Sequence, residues 1–118
     1  MKQYTKIIAD YLSNLKYEDI PAEVIERAKL VTLHTIGAAI SAVKTEAGKN
    51  IIDVAKTLGA GGKEATIIGE GSKVSVGNAV LASGTLADLL DWEDCSWTGH
   101  PSAGAVPTGL AVAEAYHK

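Results

Sequence analysis

The sequence has little of what several protein classes require. Cysteine occurs once, at Cys95, so the chain can form no internal disulfide and cannot supply the ligands of a cysteine-bound iron–sulfur cluster. That cysteine usage fits a reducing cytoplasm. Basic residues number 11 against 14 acidic ones, for a formal net charge of -3, so no basic field is available to hold a phosphate backbone. We therefore expect no nucleic acid partner.

Long apolar runs are missing as well, which argues against a membrane span. The uncharged run over residues 74–87 is too short to cross a bilayer. The longer one, 95–113, contains too much Gly, Pro, Ser, Thr and His for a spanning helix. Near the N-terminus, Asp10 interrupts the apolar stretch that an export signal would need. We therefore expect a cytoplasmic protein with no membrane partner.

Apolar residues are nevertheless abundant, at 47% of 118 residues, and most recur with the spacing of a helix. Four helices are predicted, over residues 4–15, 21–42, 46–58 and 75–90. Gly59 ends the third and Ser75 caps the fourth. A fifth helix begins at Pro101 or Pro107, because proline suits the first helical turn. With a short strand at 65–68 and a glycine turn after it, the expected fold is all-α, with about five helices and one short strand or hairpin-like segment.

Several helices carry more apolar surface than a chain of this size can cover. In the second helix, residues 33–42 are apolar or small on nearly every side. We expect that half to be buried all round and His34 to be a packed, hydrogen-bonded core residue. Three helical segments share this character. The sequence therefore predicts a covering partner, either further copies of the chain in a homo-oligomer or a complementary chain.

Residues able to perform acid–base chemistry concentrate between the fourth and fifth helices. This segment, 88–102, contains Asp88, Asp91, Glu93, Asp94, Cys95, Thr98, His100 and Ser102. A carboxylate held beside an imidazole supplies a general base and acid for proton transfer next to a substrate carboxylate. The same side chains could instead bind backbone N–H groups of the turn and serve only the structure. Spacing alone leaves both interpretations open.

Two further chemistries are conceivable in this segment. Asp91, Asp94 and His100 offer oxygen and nitrogen donors to a metal, but no His pair at i, i+4 and no Cys pair accompanies them. We therefore expect no metal and no cofactor. Cys95 could act as a nucleophile with His100 as its base, but two neighbouring carboxylates disfavour a thiolate.

Three segments of the chain carry a family resemblance. They are YEDIPAEVIERAKLVTLHTIGAAISA, EATIIGEGSKVSVGNAVLASGTLADLLDWED and GHPSAGAVPTGLAVAEA. The most specific pieces are the acidic run Asp91 to Asp94 and the His-Pro-Ser at His100 to Ser102. In order and spacing, nearly end to end, they resemble the N-terminal part of the MmgE/PrpD family, which includes 2-methylcitrate dehydratase, cis-aconitate decarboxylase and iminodisuccinate epimerase.

The resemblance implies a site on the large helical domain of such an enzyme. It marks Asp91 and His100 as catalytic or substrate-contacting, and Asp94, Cys95 and Ser102 as substrate-binding neighbours. Cys95 stands where the family often has a threonine. The implied chemistry needs no metal: it is dehydration, decarboxylation or epimerisation next to a carboxylate, with a small di- or tricarboxylate as substrate.

The length sets this chain apart, because enzymes of that family are several times longer and carry an α/β lid domain with further basic residues. Residues 1–118 therefore resemble an N-terminal segment of the helical domain, with the lid domain absent. We expect the N-terminal part of a carbon–oxygen lyase of the 2-methylcitrate dehydratase type, inactive until a complementary polypeptide completes it. The alternative is a noncatalytic helical remnant or subunit that oligomerises through its apolar helices.

Overall fold

The helical spacing of the sequence gives five α-helices in the computed structural model, which describes residues 3–97 and 99–117. In chain order they are α1 (Tyr4–Asn14), α2 (Ala22–Ala42), α3 (Glu46–Leu58), α4 (Val76–Asp88) and α5 (Pro101–Ala115). Two short strands, β1 (Ala65–Thr66) and β2 (Lys73–Val74), form an antiparallel hairpin between α3 and α4. The predicted all-α class with one hairpin-like segment is confirmed.

The described chain divides into two units, one that ends at Leu30 and one that begins at Val31. In the first unit, α1 carries an apolar stripe, and none of its residues is buried. A 3₁₀ turn, Tyr17–Asp19, follows α1, and the Asp19 carboxylate accepts a hydrogen bond from the backbone N–H of Lys16 at 3.2 Å. That contact caps the turn before α2 begins.

In the second unit the core is built largely from small side chains. Alanines of four helices form it together with a few larger residues, among them Ile52, Ile67, Val74 and Leu86. Helix α4 packs mainly against α5, and also against α3. At the crossing of α4 and α5, a Cβ at Gly84 would lie 3.0 Å from the carbonyl oxygen of Ala103. The small residues of α4 therefore allow the close approach that brings the start of α5 beside the end of α4.

The hairpin is fixed by its turn, by the burial of Ile67 and by a hydrogen bond to α4. Gly69 and Gly71 have φ of +82° and +92°, which side-chain-bearing residues rarely adopt. Ile67 is fully buried, and the backbone N–H of Ile68 donates to the Ser83 hydroxyl on α4 at 3.0 Å. The glycine turn predicted from the sequence therefore exists, and it joins two strands of two residues each.

The second half of α2 differs from its prediction. Its buried residues lie on one face: Thr35, Ala38, Ala39 and Ala42. Leu33 and Ile40 are 68% and 53% exposed, and His34 is also exposed. Burial all round was therefore wrong, as was a core position for His34, because the described elements cover only one side of the helix. None of the described helices is long and apolar enough to cross a bilayer.

Candidate active site

The acidic segment between α4 and α5 is a loop held at both ends. Its first turn follows α4, where the backbone N–H of Asp91 donates to the carbonyl of Asp88 at 3.1 Å. Asp91 has a φ of +54°, a left-handed conformation that aspartate tolerates better than most residues. On the other side, Nε2 of His34 lies 2.6 Å from the carbonyl oxygen of Trp92. Because a carbonyl oxygen only accepts, that nitrogen carries the hydrogen, and α2 thereby fixes the loop.

His100 is placed between two carboxylates of this loop. Its Nδ1 lies 2.7 Å from Oε1 of Glu93, and its Nε2 lies 3.6 Å from Oδ1 of Asp91. The two carboxylates have opposite environments, since the Asp91 side chain is 86% exposed and the Glu93 side chain is 0% exposed. One edge of the imidazole thus meets a buried carboxyl group and the other meets a solvated one.

The contact between His100 and Glu93 is short but poorly aligned. Neither Nδ1 nor either oxygen of Glu93 has a hydrogen-bond partner among the described residues. Since 2.7 Å is within hydrogen-bond distance, the misfit is one of angle. A buried carboxylate without a hydrogen bond is costly, so the short distance identifies the ring as the natural partner of Glu93.

The other three residues implied by the resemblance differ in burial: Asp94 and Cys95 lie in the loop, and Ser102 lies in the first turn of α5. Oδ1 of Asp94 accepts a hydrogen bond from the backbone N–H of Ser102 at 3.2 Å, so this side chain caps the start of α5. The hydroxyl of Ser102 is buried and has no partner within the described ranges. Cys95 is exposed, with a free thiol. Thr98 lies outside the described residues.

An open cleft of about 400 Å³ adjoins His100. It is lined by residues from the end of α4 and the beginning of α5: Gly84, Thr85, Asp88, His100, Ala103 and Gly104. Three of these lie within or directly before the first turn of α5, where backbone N–H groups and the helix dipole favour an anion. The cleft therefore combines the imidazole of His100 and the carboxyl group of Asp88 with the positive end of a helix.

A different set of donors from the one considered above could hold a metal. One ligand atom each of Asp88, Glu93 and His100 lies within 4.8 Å of the other two. Two carboxylates and an imidazole suit a divalent cation in chemical type. The trio shares only His100 with the set of Asp91, Asp94 and His100 considered from the sequence.

The structure therefore brings Asp91 and His100 together, as the sequence led us to expect, and adds two residues that sequence reasoning did not select. Glu93 was included in the acidic segment without a role, and nothing in its spacing shows that it turns inward while Asp91 turns outward. His34 was assigned to the core, and its contact with the loop spans 58 residues of sequence. Neither contact leaves a signal in local periodicity.

Comparison with known proteins gives one result for the family. The family model described as MmgE/PrpD N-terminal domain matches residues 6–118. Neither a curated protein nor a solved structure matches the chain. Since the family model covers nearly all of the 118 residues, the chain belongs to the MmgE/PrpD family.

Proposed function

We propose that this chain supplies one wall of the active site of a metal-independent lyase that acts on a small di- or tricarboxylate, such as 2-methylcitrate or cis-aconitate. The observation that carries the proposal is the position of His100, which lines a cleft and lies between Asp91 and Glu93. In this role Nε2 takes up or delivers a proton next to a substrate carboxylate, and Asp91 stabilises the charged ring.

The cleft offers a suitable environment for an anionic substrate. Ala103 and Gly104 place the first turn of α5 along it. Backbone N–H groups at a helix start bind carboxylates, and the helix dipole adds favourable charge. Pro101 has no N–H and Asp94 already accepts the N–H of Ser102, so the N–H of Ala103 is the one that the first turn of α5 leaves for a ligand.

The proposal includes a complementary segment that completes the site, either as part of the same polypeptide or as a separate one. A polycarboxylate needs cationic partners for its remaining charges, and the described residues that line the cleft include no lysine or arginine. We propose that the complementary segment supplies them and that the chain alone turns over no substrate. A reducing cytoplasm is the proposed compartment, in keeping with the single thiol at Cys95.

A binding experiment tests the cleft without requiring turnover. The ¹⁵N-labelled chain is titrated with citrate, and the amide signals of Ala103 and Gly104 and the ring signals of His100 are followed. We expect saturable shifts at all three positions. His100→Gln should weaken citrate binding about tenfold or more, because a charge-assisted hydrogen bond is lost. His117→Gln is the matched control, since His117 is not among the cleft residues, and it should bind citrate like the wild type.

Turnover tests the chemistry itself. The chain is assayed alone and with a polypeptide that carries the remaining family segments, using 2-methylcitrate, cis-aconitate and iminodisuccinate. We expect activity only in the reconstituted mixture, and its loss in Asp91→Asn and His100→Gln. If the mixture turns over none of these acids and citrate shifts no cleft signal, the proposal is wrong.

A noncatalytic role in oligomerisation is the second candidate, and α1 is the observation that favours it. Five large apolar side chains of that helix are more than half exposed: Tyr4, Ile7, Ile8, Tyr11 and Leu12. A continuous apolar stripe of this kind marks an interaction surface. The two candidates are compatible only if association leaves the cleft at His100 open.

A further inference from the structure

Glu93 is a buried ionisable side chain of the loop that the proposed function leaves without a task. Its side chain is 0% exposed, and both of its oxygens lack a hydrogen bond within the described residues. Removing a carboxylate from water without replacing its hydrogen bonds costs several kcal/mol. Something must therefore compensate the carboxylate, and the atom best placed to do so is Nδ1 of His100 at 2.7 Å.

We propose that Glu93 is a positioning residue that holds His100 in one tautomer. An ionised carboxylate only accepts hydrogen bonds, so Nδ1 must carry the hydrogen when it faces Glu93. The proton-free position of the neutral ring is then Nε2, on the side of the exposed Asp91.

The environment of the pair explains why Glu93, rather than Asp91, sets the tautomer. Asp91 lies farther from the ring, at 3.6 Å from Nε2, and its side chain is 86% exposed. Water therefore solvates Asp91 whichever nitrogen carries the hydrogen. Glu93 has no access to water, so the tautomer with hydrogen on Nε2 would leave its carboxylate facing a lone pair.

The inference rests on the proposed function only for the role of the unprotonated Nε2 in catalysis. With hydrogen fixed on Nδ1, Nε2 is ready to accept a proton from a substrate in the adjoining cleft, which is the state that a general base requires. The tautomer itself is a property of the chain without substrate. The tautomer assignment can therefore be correct when the lyase proposal is wrong, and the lyase proposal can be correct when the tautomer assignment is wrong.

The test is a long-range ¹H–¹⁵N correlation spectrum of the ¹⁵N-labelled chain, recorded at alkaline pH where an imidazole is neutral. The spectrum distinguishes a protonated from an unprotonated ring nitrogen. For wild-type His100 we expect the form with hydrogen on Nδ1 to exceed the other about tenfold or more, as a hydrogen bond to a charged group would produce. If hydrogen resides mainly on Nε2, the proposal is overturned without any variant.

Two substitutions separate positioning from a merely structural role. Glu93→Gln keeps the size of the side chain, but an amide can accept or donate, so the excess of the Nδ1–H form should fall several-fold. Glu93→Leu removes the acceptor and should abolish the preference. Asp91→Asn is the matched control, and should not lower the preference. An unchanged tautomer in a folded Glu93 variant, checked by the dispersion of its amide signals, contradicts the proposal.

Zinc provides the last arm of the experiment, because Asp88, Glu93 and His100 also have the donor types of a metal site. If Glu93 positions the ring, Nδ1 remains protonated when Zn²⁺ is added at one equivalent. A saturable change at Nδ1 that Asp88→Asn abolishes would make the ring a metal ligand through that nitrogen. That result overturns the proposal.

Discussion

Gly69 and Gly71 occupy the same turn with the same kind of backbone conformation, yet the packing around them differs. A Cβ at Gly69 would lie 2.9 Å from Cγ2 of Val43 and 3.0 Å from Cα of Ile40, whereas a Cβ at Gly71 would meet nothing within 4 Å. The turn was predictable from the glycines themselves. The contact of Gly69 with α2 was not, because it joins residues about 26 to 29 positions apart, and no local pattern records that distance.

This difference predicts unequal costs for the two alanine substitutions. Gly71→Ala should lower the free energy of unfolding by about 1–2 kcal/mol, the cost of placing a Cβ at positive φ. Gly69→Ala carries that cost and adds overpacking against α2, worth a further ~1–3 kcal/mol. Urea unfolding followed by circular dichroism measures both values, with Gly71→Ala as the control for strain alone. Equal losses would contradict the close packing of the turn on α2.

Among the site residues, the sequence identified the chemistry of the loop better than its geometry. The density of acids around His100 was visible, and so was the proximity of Asp91 to it in the chain. The burial of each side chain could not be predicted: Asp91 and Glu93 are only two residues apart, yet the side chain of Asp91 is 86% exposed and that of Glu93 is 0% exposed. In an irregular loop, unlike a strand or helix, no period assigns a side chain to the inside or the outside.

At the scale of elements, a single carboxylate joins α5 to the hairpin. Glu114 accepts hydrogen bonds from the backbone N–H and the hydroxyl of Thr66, both at 2.7 Å, and pairs with Nζ of Lys73 at 3.0 Å. The hydrogen bonds from Thr66 and Lys73 lower the pKa of Glu114 from 4.5 to about 2. A hairpin with strands of two residues is too short to be stable alone, so this contact is part of what holds it in place.

The pKa of Glu114 predicts how stability changes with pH. Between pH 4.5 and about 2 the unfolded chain binds a proton at this site that the folded chain does not, so stability rises with pH across that window. The contribution is complete above pH 4.5 and is lost as the pH falls to about 2. Because the side chain is 33% exposed, solvent screening makes the effect smaller than the full pKa difference would give.

Glu114→Gln is the substitution that tests this linkage. It should lower the free energy of unfolding at neutral pH and flatten its dependence on pH between 4.5 and about 2, as measured by urea unfolding at a series of pH values. Glu64→Gln is the control, since it removes an exposed carboxylate directly before β1 and should leave the slope in place. Parallel curves for wild type and Glu114→Gln would show that the contact does not contribute.

The elements themselves were largely readable from local chemistry. α3 spans Glu46–Leu58 as predicted, because a strong apolar face and Gly59 define it, and α5 begins at Pro101, one of its two predicted starts. Burial was predicted less well. The second half of α2 is apolar on nearly every side, and composition cannot show which of those sides the rest of the described chain covers.

At the scale of the whole molecule, the apolar side chains left exposed are the main unexplained feature. Besides α1, they include Leu30, Leu33 and Ile40 of α2, Leu81 of α4 and Leu110 of α5. The sequence led us to expect such surfaces and a partner that covers them. We keep that partner as a proposal, and α1 offers its simplest test because none of the residues of this helix is buried.

Association through α1 predicts a change in mass when its stripe is made polar. In wild type, the weight-average mass should exceed the 12.3 kDa of one chain and rise with concentration in sedimentation velocity or light scattering. Ile8→Ser with Leu12→Ser should return the mass towards 12.3 kDa, because both side chains are more than half exposed and contribute apolar area to any interface. Folded stability should change little, since neither residue belongs to a core.

The control for that experiment changes the opposite face of the same helix. Lys6→Ser with Asp10→Ser introduces the same number of serines and a similar loss of helix propensity. It also removes the exposed ion pair between Lys6 and Asp10, 3.1 Å apart, which contributes little to stability. It should therefore keep the association of the wild type. If both double variants and the wild type are monomeric at every concentration, the stripe of α1 is not a self-association surface. The exposed stripe of α1 then no longer supports a role in oligomerisation. The proposal for the cleft at His100 is unaffected by this result, because citrate binding and turnover test it.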